Sequence, residues 1–92
     1  MNAIFPLGQL CATPAALRLL DDNHIDCFGL IHRHANGDFG DLCREDLQAN
    51  EEALREGFRI FSSYVINGEG DKVWIITEAD RSVTTVLLPE DY

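Results

Sequence analysis

Four side chains in one short stretch could hold a metal ion or move protons: His32, His34, Asp38 and Asp41, within HRHANGDFGD. Imidazole nitrogens and carboxylate oxygens together make a ligand set for a zinc-like cation. His34 with Asp38 and Asp41 could equally serve a small hydrolytic or metal-dependent enzyme. The spacing limits both ideas. Two histidines at i and i+2 on a helix point about 200° apart, so a regular helix cannot aim both at one ion. The acids would have to reach a single histidine across the loop that holds Gly37 and Gly40. The plainer reading is a helix ending on histidines, whose positive charge suits its negative pole, followed by an aspartate that caps the next helix. No metal or other cofactor is expected.

Nucleophilic catalysis would require a Ser or Cys beside a His and an acid. Ser62, Ser63 and Ser82 are available, but none stands in a nucleophile-elbow context. The cysteines are Cys11, Cys27 and Cys43. An odd count argues against a closed disulfide framework, and without a C-x-x-C pair neither a zinc knuckle nor a redox motif is indicated. Small buried hydrophobes are expected at all three. The Gly37–Gly40 loop carries an acid and is followed by another, so it would repel phosphate rather than cradle it. No catalytic residue is expected. A small hydrolytic or metal-dependent enzyme using His34, Asp38 and Asp41 is the alternative kept open.

The acids form the stronger pattern. Sixteen against seven bases give a net charge of −9, so a free nucleic-acid backbone would repel this chain. Asp38, Asp41, Glu45, Asp46, Glu51, Glu52 and Glu56 lie within nineteen residues, opposed only by Arg44 and Arg55. On a helix, exposed carboxylates follow one another at about 5–6 Å, comparable with phosphates along a DNA strand. Asp38, Asp41, Glu45, Asp46, Glu52 and Glu56 are therefore the candidate protein-binding residues. Their counterpart would be the basic surface of a nucleic-acid-handling protein. The bland reading is a solvated face that keeps a small protein soluble.

The elements that must position these residues can be read from periodicity. Leu7–Ala12 is a strand. Thr13 caps and Pro14 opens a short helix through Leu20, with Leu17 and Leu20 inward. Asn23 caps a second helix, His24–His34, with Ile25, Phe28 and Ile31 toward the core. Asn36-Gly37 ends it. Phe39, between two glycines, is pinned into the core. Asp41 caps a third helix, Leu42–Glu56, whose apolar face is Cys43, Leu47, Leu54 and Phe58, with Asn50 a polar intruder on it. Gly57 closes that helix. The period then becomes two: strands Phe58–Ile66, Lys72–Glu78 and Ser82–Leu88, joined by Asn67–Asp71 and Ala79–Arg81, make an antiparallel meander. Arg81 pairs locally with Asp80 or Glu78, or reaches the Asp38/Asp41 loop and ties sheet to helices.

Ninety-two residues make one α+β domain, 1–92: a small two-layer fold, with an antiparallel three- to four-stranded sheet and about three helices on one face. The N-terminus lacks a basic n-region, and no stretch approaches the roughly 18 apolar residues of a membrane span, so a cytoplasmic setting is expected.

The segments RHANGDFGDL, EDLQANEEAL and VWIITEADRSVTTVLLPEDY resemble a set of short proteins carried on bacterial plasmids and integrative elements. Family members are usually labelled plasmid-related, some as restriction-modification subunits, and no activity is established for them. The resemblance covers about Phe5 to Tyr92. Its recurring positions fall on His34, Gly37, Asp38, Gly40, Asp41, Asp46, Asn50, Arg81 and Ser82, with Phe39 standing where the family has Trp. It implies a mobile-element setting. With the acidity, this points to a non-enzymatic accessory protein that binds a restriction or CRISPR component, one form being an anti-restriction or anti-CRISPR DNA mimic. A regulatory interaction subunit without mimicry, docking through the outer sheet face around Trp74, is the other alternative.

Overall fold

Thr13 and Pro14 start the first helix as their chemistry dictates. The Ala16 N–H donates to Thr13 Oγ1 at 3.2 Å, and Pro14 occupies the first turn. In this computed structural model, which describes residues 3–92, the elements run β1 (Gln9–Ala12), α1 (Pro14–Asp22), α2 (Cys27–Ala35), α3 (Arg44–Glu56), β2 (Ile60–Val65), β3 (Lys72–Thr77) and β4 (Val83–Leu87). A 3₁₀ turn, Pro89–Asp91, follows β4.

The fold class is as expected, and several details differ. Asn23 closes α1 rather than opening α2, and His24 turns the chain at φ 56. Asp26 is the actual cap of α2, its Oδ1 accepting from the Phe28 N–H at 3.1 Å. Beginning three residues late rotates the buried face to Leu30, Ile31, His34 and Ala35, leaving Phe28 68% exposed. Leu17 is also exposed, because α1 turns Ala16 and Leu20 inward. Helix α3 starts after Cys43, not after Asp41, and buries only Asn50 and Ala53. Cys43, Leu47, Leu54 and Phe58 are exposed, as is Cys11; only Cys27 is partly covered.

The sheet order is β1-β4-β3-β2. The meander β2-β3-β4 is antiparallel, but β1 pairs parallel with β4, Gln9 opposite Val83, so the sheet is mixed. Alternation along the strands puts Ile60, Ser62, Tyr64, Val73, Ile75, Thr77, Thr84 and Val86 on one face. The helices cover this face. One cluster joins Ala16, Leu20, Leu30 and Ile31 to Tyr64, Val73, Ile75 and Val86; a second joins Phe5, Phe39, Ala53 and Ile60. On the other face Trp74 packs edge-on between Phe61, centroids 5.0 Å apart, and Tyr92 at 6.0 Å. Among the described residues no helix is long and apolar enough to cross a membrane.

Candidate functional site

His34, a fully buried side chain of α2, sits where the two core clusters meet the sheet. Phe5 and Phe39 meet its ring edge-on, at centroid distances of 5.3 and 6.1 Å. Its Nδ1 lies 2.5 Å from Ser62 Oγ and its Nε2 2.9 Å from Thr77 Oγ1; Thr77 Oγ1 is 2.7 Å from Thr84 Oγ1. Thr84 donates to the Leu7 carbonyl at 2.7 Å. That last bond fixes every other direction. A carbonyl only accepts, so the Thr84 proton is spent on it and Thr77 must donate to Thr84. Thr77 then has only lone pairs left for His34, so Nε2 carries the proton and Nδ1 accepts from Ser62. Burial lowers the His34 pKa to about 4, keeping the ring neutral. The arrangement resembles a Ser–His catalytic pair but is closed: Ser62, His34, Thr77 and Thr84 all have 0% exposure, so no substrate can meet the serine.

His34, Asp38 and Asp41 are not brought together. Asp38 turns outward to Arg33, with Oδ2 2.7 Å from Nε and Oδ1 3.3 Å from Nη2, and the guanidinium bond holds its carboxyl below the usual range. Asp38 Oδ1 also accepts from the Gly40 N–H, while its carbonyl accepts from the Tyr64 hydroxyl at 2.6 Å. Arg33 lies over the Tyr64 ring. Asp41, expected as a helix cap, accepts from the Val65 N–H at 2.9 Å instead. Among the described residues no group of three or more metal-capable side chains converges.

Together these loop residues close one edge of the sheet. β2 is an outer strand, and its outward backbone groups find partners in the chain itself. The Ser63 N–H donates to the Phe39 carbonyl at 3.1 Å, and the Asp41 N–H to the Ser63 carbonyl at 2.6 Å. Asn50, reaching from α3, accepts from the Phe61 N–H at 3.0 Å and donates to the Phe61 carbonyl at 2.7 Å. The polar intruder on the helix face is thus a side chain standing in for a strand. Gly40 makes the approach possible: it has φ 76, and a Cβ there would lie 2.2 Å from the Ser63 carbonyl oxygen. Gly37, also at positive φ, lets the chain leave α2.

Arg81 ties sheet to helix, though not through the acidic loop. From φ 62 it donates to the carbonyls of Phe58 at 2.6 Å and Ala53 at 3.0 Å, and to that of Glu78 in its own turn at 3.1 Å. A fixed cation at the C-terminus of α3 complements the helix dipole. Ser82 shapes the same turn, donating to Asp80 Oδ1 through its N–H and hydroxyl, while its carbonyl receives the Gln9 N–H.

The proposed interface residues divide. Asp38 and Asp41 have the internal roles above, and Asp46 accepts from the Cys43 thiol at 3.3 Å. Glu45, Glu52 and Glu56 are exposed, and among the described residues none pairs with a base. Spacings of seven and four put these three on one flank of α3, about 16 Å from first to last. Sequence reasoning named Ser62 but not its pairing with His34, and missed Thr77 and Thr84. The available signal was three hydroxyls in register with apolar residues on the inward face of the strands.

No protein-family model matches the chain, and comparison with curated proteins and with solved structures gives no match.

Proposed function

We propose that this protein is a non-enzymatic binding module that presents α3 to a basic surface, in the simplest case the nucleic-acid groove of a protein that handles DNA or RNA. One observation carries this reading. Helix α3 has thirteen residues, of which two are buried, and one flank bears Glu45, Glu52 and Glu56, none of which forms an ion pair among the described residues. Asn50 and Arg81 anchor the helix from its other side, so the acids stand on a fixed rod. A mobile-element setting, with a restriction or CRISPR component as the partner, rests on the likeness of RHANGDFGDL, EDLQANEEAL and VWIITEADRSVTTVLLPEDY to plasmid-borne proteins. His34, with both ring nitrogens bonded inside the core, lends no support to the enzyme alternative.

The test is capture of partners from a host lysate at low and high salt, with wild type and with the triple variant Glu45→Lys, Glu52→Lys, Glu56→Lys. Binding by wild type should weaken steeply as salt rises, since the attraction is screened. The triple variant should keep its circular dichroism spectrum and lose the partner by at least about tenfold. Retention of the partner by the triple variant, or binding indifferent to salt, would overturn the reading.

A further inference from the structure

The two edges of the sheet are treated in opposite ways. β2 is closed by Asn50, Asp41 and the Phe39–Asp41 backbone. β1, at the other edge, has no strand beyond it among the described residues. In its parallel pairing with β4 the N–H groups of Gln9 and Thr13 donate inward, to Ser82 and Val86. The alternate residues, Leu10 and Ala12, therefore direct their N–H and C=O groups outward. No partner for them is found among the described residues. Beside this edge runs an apolar groove of about 160 Å³ lined by Leu10, Ala12, Leu17, Cys27, Phe28 and Ile31. Leu10, Leu17 and Phe28 are 42, 47 and 68% exposed.

We infer that β1 is the dimerisation edge of this protein, pairing antiparallel with β1 of a second copy about a twofold axis through Cys11. This goes beyond the binding role of α3 and uses the opposite edge of the sheet. Two observations select a second copy as the occupant. The first is charge. None of the sixteen acids lines the groove, so it is a neutral apolar surface on a molecule of net charge −9, where two like-charged copies can meet without opposing carboxylates in contact. A basic partner would be drawn to other faces. The second is register. With Cys11 opposite its twin, Leu10 faces Ala12 of the other copy and Ala12 faces its Leu10. Each such pair exchanges two backbone hydrogen bonds, so all the outward groups of Leu10 and Ala12 are satisfied. The edge is its own complement, as an isologous interface requires. The apolar side chains of α1 and α2 beside the groove, Leu17 and Phe28, are then brought toward their counterparts across the axis.

The register predicts a chemical signature. A central non-hydrogen-bonded antiparallel pair has Cα atoms about 4.5 Å apart, within reach of a disulfide. Two Cys11 thiols would lose two protons and two electrons to diamide, which is reduced to the hydrazine, and form one S–S bond across the axis.

Sedimentation equilibrium of the reduced full chain should give about twice the 10.3 kDa chain mass. Phe28→Glu, at an exposed position, should shift the protein to monomer with its circular dichroism unchanged. Leu10→Pro should do the same, because the N–H it removes is not used within the fold. Diamide should give a covalent dimer in wild type, Cys27→Ser and Cys43→Ser, and none in Cys11→Ser. A monomer at every concentration up to about 1 mM, weaker than any useful self-affinity, would overturn the inference. So would a dimer untouched by Phe28→Glu and Leu10→Pro, or cross-linking that survives Cys11→Ser.

Discussion

A neutral imidazole in the centre of a core ties the stability of this protein to pH. His34 has an ordinary value of 6.5 unfolded and about 4 folded, lowered by burial. Between these values the unfolded chain binds a proton that the folded one refuses. Stability is therefore full above about pH 6.5 and falls as pH drops toward 4, by about 3 kcal/mol for a shift of this size. Urea unfolding at pH 7 and pH 4.5 should show the loss, and His34→Gln should be less stable at neutral pH but flatter across this window. An equal slope in the variant would mean that other groups set the acid sensitivity. Asn50 offers a second test. Asn50→Leu keeps the branching of the side chain but adds bulk at a buried position, and it strands the Phe61 N–H and C=O, a cost of about 2 kcal/mol or more in thermal or urea unfolding. Little of this was legible in the sequence. Asn50 stood out as a polar residue on a helical face and His34 as a histidine at a helix end, but their partners lie 11 and 28 residues away or more. Only the folded sheet brings a strand hydroxyl or a bare backbone group opposite them.

The elements themselves were easier to read, because their signals are local. Thr13-Pro14, Gly57 and the switch to period two at the strands all mark real boundaries. The errors came where two residues competed for one role. Asn23 and Asp26 are both good caps, and the later one wins because Asn23 is already closing α1. Asp41 was expected to cap α3, yet the edge of β2 claims its carboxylate. The apolar spacing of Leu47 and Leu54 suggested the buried face of α3, but Asn50 and Arg81 hold the helix by polar bonds and turn those leucines aside. This attachment can be tested at the level of the helix. Arg81→Ala removes a charged donor from the Ala53 and Phe58 carbonyls and should cost about 1.5–3 kcal/mol. Hydrogen exchange should quicken first in the last turn of α3. Gly40→Ala places a methyl against the Ser63 carbonyl and Tyr64 in a left-handed conformation, so it should destabilise by about 3 kcal/mol or more. A stability near wild type would show that the loop can retreat from β2 at no cost.

At the scale of the molecule, sixteen acids face seven bases, and the described residues hold a single ion pair, Arg33 with Asp38. The folded chain is thus self-repelling. Moderate sodium chloride should raise the melting temperature by roughly a few degrees through screening, while weakening capture of a basic partner. Opposite signs in the two measurements would separate the acids' effect on the fold from their effect on binding; a melting temperature that fell with salt would argue for net attraction among the charges. The two-layer α+β arrangement was legible from the order of periods along the chain. The parallel seat of β1 beside β4 was not, because a four-residue strand separated from its neighbour by the whole domain carries no pairing signal of its own. The closed rim at β2 has a consequence for the fate of this protein at high concentration. Strand-by-strand growth into fibrils needs two receptive rims on every molecule, one to accept and one to offer. Here the loop and α3 act as a stopper on one of them, so any sheet-to-sheet joining must end after a single addition, and a concentrated solution should stay clear where a domain with both rims bare would gel.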